Sequence, residues 1–145
     1  MKNEPILSWD AESGVASCIL TDGEKYFVGT AICHEDDADM CSEKTGTEIA
    51  IRRANIKALR VYRDELKIKL KALNQLYFSI NKSKKFNEKS YENRMLQRQI
   101  RLIKNDLESI KETIASEEQS LRKYIIEKDA FYKITRTRRN KVKTD

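Results

Sequence analysis

Apolar residues recur along this chain in two rhythms, and the change from one to the other divides it. The runs Gly14 to Leu20 and Lys25 to Cys33 are rich in β-branched and aromatic residues and flank Thr21, Asp22, Gly23 and Glu24. An Asp-Gly pair between two such runs predicts a β-hairpin, because Gly tolerates the positive φ that a tight turn demands. Residues 1–13, with Pro5 and Trp9, read as a short leading strand or arm. From about Thr47 the period lengthens. Ile56, Leu59, Leu66, Leu70, Leu73, Tyr77 and Ile80 fall three and four apart, on one face of a helix. Thr45 or Thr47 is the expected cap, with Glu48 in the first turn. Asn81 to Asn87 is a polar, basic break. A second helix is predicted over roughly 89–133, where Ile100, Leu107, Ile114 and Leu121 stand seven apart. Leu96, Ile103, Ile110, Glu117 and Tyr124 hold the alternate heptad position, which completes a coiled-coil seam.

These elements predict an α+β protein: a small N-terminal antiparallel β-hairpin or sheet, then two long antiparallel helices forming a helical hairpin or coiled coil. The expected parts are 1–43 (hairpin and acidic loop), 44–133 (two long helices) and 134–145 (a basic tail), all within one domain. At 1.5 Å per residue the helices span about 50 and 65 Å, more than a hairpin of about twenty residues covers. The apolar band is also wider than one seam. It takes in Ala58, Val61, Tyr62, Ile68, Leu76 and Phe78 on the first helix, and Leu102, Ile125 and Ile126 on the second. Each Leu- or Ile-sized side chain left in water forfeits about 1.5–3 kcal/mol. The expected remedy is a homo-oligomer, a dimer or a larger ring such as a hexamer.

Composition adds little to the fold and more to the partner. Charged residues make up 36% of the 145, with 29 Lys and Arg against 23 Asp and Glu for a formal net charge of +6. That balance suits an anionic partner, although acids interspersed among the bases also describe a solvated helix face. No signal peptide or run of about 20 apolar residues is present, so no membrane contact and a cytoplasmic location are expected. The three cysteines, Cys18, Cys33 and Cys41, are an odd number, and free thiols are the expectation there.

Catalytic chemistry finds no footing. His34 beside Cys33, followed by Glu35, Asp36, Asp37, Asp39 and Cys41, lacks the C-x-x-C pair of a zinc site, and adjacent Cys-His ligands fit a tetrahedron poorly. A solvated acidic loop is the plainer reading, with no metal and no cofactor. No Gly-rich phosphate loop and no nucleophile on a strained turn is present, so no enzyme is expected. The basic groups Arg52 with Arg53, Arg94 with Arg98 and Arg101, and Arg136 with Arg138 and Arg139 are more informative. Guanidinium forks grip phosphate bidentately. Phe86, Tyr91 and Asn93 lie near Arg94 at the inter-helix turn and offer a ring and an amide beside positive charge. The expected ligand-binding set is therefore Phe86, Tyr91, Asn93, Arg94, Arg98, Arg136, Arg138 and Arg139, weighed against a turn merely stapled by its aromatics and flanked by solvated arginines.

One stretch resembles a known family: Val28-Gly-Thr-Ala-Ile-Cys-His-Glu-Asp-Asp37, then Glu43-Lys-Thr-Gly46 leading into a helix with an I-A-x-x-R-A-x-x-K-A-L face. Over about the first sixty residues this is similar to phage Thoeris anti-defence proteins of the signal-sponge kind. The resemblance implies a small sheet with long C-terminal helices, assembly as dimers or larger rings, and sequestration of a cyclic ADP-ribose-type or other cyclic nucleotide signal without hydrolysis. In that case the compartment is the host cytoplasm. A double-stranded-RNA-binding-like domain has a similar strand, acidic loop and helix start, but the second long helix argues against it. Two other functions compete: a protein-binding inhibitor of a bacterial defence nuclease, and a small basic nucleic-acid-binding protein. Nucleic acid is disfavoured as a partner, because interspersed acids repel a continuous phosphate backbone and aromatic interleaving is sparse.

Overall fold

The computed structural model describes residues 4–33, 42–82 and 91–144, with side chains described as far as Lys128. Five elements follow in order: β1 (Ile6–Asp10), β2 (Val15–Thr21), β3 (Tyr26–Ile32), α1 (Glu43–Asn81) and α2 (Tyr91–Thr144). The strands form one antiparallel sheet of order β1-β2-β3. The chain divides into two compact units, residues 59–115 and the remainder, and α1 and α2 each contribute to both.

In the first unit the predicted hairpin is present, and the leading segment adds a third strand. Asp22 closes the β2–β3 turn by accepting from the amides of Glu24 (2.9 Å) and Lys25 (2.8 Å), while Gly23 adopts φ +98°. Pairing sets Ile19 opposite both Ile6 and Val28, and Ala16 opposite both Trp9 and Ala31. Strand alternation then fills one face with Ala16, Cys18, Leu20, Phe27 and Ala31, all buried.

Helix α1 lies against that buried face through its smallest residues. Gly46, Ala50, Ala54 and Ala58 repeat every four positions, and the three alanines are buried. A Cβ on Gly29 would overlap the Ala50 carbonyl and the Ala54 amide, and one on Gly46 would meet the Trp9 ring and the Ala16 methyl. Gly29 and the series Gly46, Ala50, Ala54 and Ala58 thus make a close helix-to-sheet contact. The helix begins earlier than its apolar rhythm indicates. Ser42 is the cap, its hydroxyl accepting from the Thr45 amide at 3.3 Å and its carbonyl from Gly46 at 2.9 Å. This corrects the expectation of Thr45 or Thr47: the Thr47 hydroxyl instead donates back to the Glu43 carbonyl within the helix. The acid of the first turn is Glu43, and Glu48 pairs with Arg52.

The second unit is a helical hairpin. Ile100, Leu107 and Ile114 are buried, as the heptad spacing requires, and Leu121 continues the series in the first unit. The alternate positions Leu96, Ile103 and Ile110 are half-buried, as are Leu59, Leu66, Leu70 and Leu73 of α1. The Gln97 amide donates to the Tyr77 hydroxyl at 3.0 Å, tying the two helices within one chain. The backbone of α2 is helical through Thr144. No helix among the described residues is long and apolar enough to cross a membrane.

The cysteines depart from expectation. Cys18 is free and buried, and burial pushes its thiol up from the ordinary range. Cys33, expected as a free thiol, is disulfide-bonded. Residue counting is blind to this, because pairing depends on which sulfurs the fold brings close. Cys41 lies outside the described residues, as do His34, Glu35, Asp36, Asp37 and Asp39.

Candidate functional site

Polar chemistry collects in three places, each lying within one of the two units. In the first unit, Arg52 is half-buried and its guanidinium meets three protein groups. Its Nε donates to Glu48 at 2.8 Å, its Nη1 donates to the Ser120 hydroxyl at 2.9 Å, and its plane lies 5.0 Å from the Tyr124 ring centre. Lys128 Nζ also approaches that ring, at 5.7 Å. Arg53 donates to the Thr30 carbonyl at 2.8 Å. These two arginines tie α1 to α2 and to β3, which is a structural use of groups that sequence reading offered to phosphate. A small cleft of about 310 Å³ lies between β1 and the start of α1, lined by Leu7, Ser8, Trp9, Glu43, Lys44 and Thr47.

The other two places lie in the second unit. Tyr91, Arg94 and Arg98 open α2 at positions i, i+3 and i+7, which share one helix face. All three are exposed, Tyr91 at 66%. Asn93, between them in sequence, is buried at 1% and packs inside the unit. On α1 an open groove of about 870 Å³ is lined by Lys67, Leu70, Lys71, Asn74, Gln75 and Phe78. Lys82 Nζ stands 4.6 Å from the Phe78 ring centre.

Of the eight residues expected to bind ligand, then, Tyr91, Arg94 and Arg98 come together on one exposed face and Asn93 points inward. Phe86 lies outside the described residues, and so do the side chains of Arg136, Arg138 and Arg139, whose backbone is helical. The α1 groove escaped sequence reading. Its lysines lie on a polar helix face that a solvated surface also explains, and Phe78 was counted with the apolar band; the available signal was Lys67, Lys71, Asn74 and Phe78 at helical spacing. Among the described residues no group of three His, Cys, Asp or Glu side chains is placed to hold a metal ion.

No protein family, no curated protein and no solved structure matches this chain.

Proposed function

We propose that this protein is a non-catalytic, self-associating binding protein of the phage Thoeris anti-defence kind, which sequesters an anionic cyclic nucleotide signal without hydrolysing it. The observation that carries the reading is the face formed by Tyr91, Arg94 and Arg98 at the start of α2. A ring for a base and two guanidiniums for phosphate stand side by side and open to solvent. Tight retention of a small ligand needs enclosure, and within the described residues this face is not enclosed. A second copy of the chain supplies the missing wall in this reading, which joins the expected oligomer to the expected ligand. Sequestration asks for no general base. The resemblance of the first sixty residues to the sponge family points the same way.

The test uses cyclic ADP-ribose as the probe. Protein incubated with it, freed of unbound ligand and then heat-denatured should release the molecule intact. Arg94→Ala and Arg98→Ala, and Arg136→Ala in the tail, should each weaken binding in calorimetry at least about tenfold, the order of one charge-assisted bidentate contact. The sedimentation coefficient should be unchanged. Absence of any released probe, or unaltered binding in all three variants, rejects the reading.

A further inference from the structure

Positive charge is not spread evenly along this chain. Residues 66–105 hold eleven lysines and arginines and only two acids, Glu88 and Glu92, for a net charge of +9. The whole chain carries +6, so the remaining residues sum to −3. Interspersed acids therefore repel a phosphate backbone over the chain on average but not over this segment.

Within it, α1 presents a continuous stripe. At about 100° per residue, Lys67, Lys71, Asn74 and Phe78 fall within roughly 60° of one another. All four side chains are exposed, and they line the open groove together with Gln75. From Lys67 to Lys82 the stripe runs about 22 Å at 1.5 Å per residue. Phe78 is 62% exposed, and Lys82 stands over its ring.

We infer that this α1 stripe is a binding track for single-stranded nucleic acid. Lysines spaced along a groove neutralise successive phosphates, an exposed ring stacks a base, and side-chain amides meet base edges whatever the sequence. A small anion does not need a 22 Å track. A second copy of the chain would set the same lysines against each other, and like charges repel. The stripe shares no residue with Tyr91, Arg94 and Arg98, so this inference and the sponge reading stand or fall separately.

The test is fluorescence anisotropy with fluorescein-labelled oligo-dT and oligo-U, from about 50 to 200 mM salt, a range over which phosphate contacts reveal themselves. Binding should weaken with salt. The double variant Lys67→Ala, Lys71→Ala should flatten the log K against log salt slope by about 1.4, at about 0.7 per phosphate contact on a single strand. Phe78→Ala should weaken binding at least about fivefold and leave that slope unchanged, as loss of stacking requires. All three positions are exposed, and circular dichroism should show the helices intact. A preference for one probe names DNA or RNA as the source, and equal binding names the shared backbone and bases. The inference is overturned if neither probe binds at low salt, if both variants bind as wild type, or if inorganic polyphosphate competes as well as oligo-dT while Phe78→Ala is silent.

Discussion

Asp10 shows how much one exposed carboxylate organises. One oxygen accepts from the Glu12 amide at 3.1 Å, the other from the Ser13 hydroxyl at 2.8 Å, and its main-chain carbonyl accepts from Gly14 at 2.8 Å. Three bonds thus turn the chain from β1 into β2. The Ser13 hydroxyl, with the Glu12 amide behind it, holds this carboxyl below its ordinary range. A carboxyl whose folded pKa is depressed stabilises the fold above its unfolded pKa of about 3.9, and that contribution fades as pH falls through the lower folded value. Wild type should therefore unfold at a higher urea midpoint than Asp10→Asn at pH 6, and the two midpoints should converge near pH 2. A gap that stays constant across this range would mean that the charge of Asp10 has no part in the turn. Arg52 and Arg53 carry a related lesson. Their forks suit phosphate by residue type, but each is committed to protein groups far along the chain, at Ser120 and Thr30.

At the scale of elements, the contact of α1 with the sheet depends on the absence of side chains. Gly29 is extended backbone in β3, yet an added methyl would meet the main chain of α1 at Ala50 and Ala54, and neither backbone atom can swing aside. Gly29→Ala should cost about 3 kcal/mol, the upper part of the range for overpacked sites. Gly23→Ala, which meets nothing within 4 Å and suffers only from its φ of +98°, should cost about 1 kcal/mol. Chemical denaturation of both variants decides it, and equal costs would refute close packing at Gly29. This contact also explains which elements were legible in the sequence. The β2–β3 hairpin and the heptads at Ile100, Leu107, Ile114 and Leu121 announce themselves through local rhythm, because turn chemistry and strong apolar side chains repeat at a fixed interval. Gly46, Ala50, Ala54 and Ala58 do not, since small residues carry little apolar signal and their meaning lies in a strand some twenty residues away. The same weakness hid the true start of α1 at Ser42, in a stretch with no periodicity at all. For the candidate site, the shared face of Tyr91, Arg94 and Arg98 could be read from spacing. The burial of Asn93 and the engagement of Arg52 could not, because both depend on tertiary partners.

For the molecule as a whole, apolar exposure and charge make opposite demands. In the unit formed by residues 59–115, the well-buried apolar side chains among those described, Ile100, Leu107 and Ile114, all belong to α2. Ile68 and Leu76 of α1 and Leu102 of α2 stay in water, Ile68 at 69% exposure. Covering such side chains is worth about 1.5–3 kcal/mol each, which favours association. The net +9 of residues 66–105 opposes it, because identical units bring like charges together. Salt separates the two effects: the screening length shortens from about 10 Å at 0.1 M to about 3 Å at 1 M, while apolar burial is not screened. Self-association should therefore strengthen as salt is raised, the reverse of what phosphate contacts do along the α1 stripe. Sedimentation at micromolar concentration should give a mass above the 17.0 kDa chain, rising with salt. Ile68→Asp, placing a charge on an exposed apolar position, should lower the association constant at least about tenfold, the equivalent of about 1.4 kcal/mol from a lost contact worth more than that. A 17 kDa particle at every salt concentration would show that these side chains remain in water, and the enclosure on which the proposed nucleotide site depends would go with them.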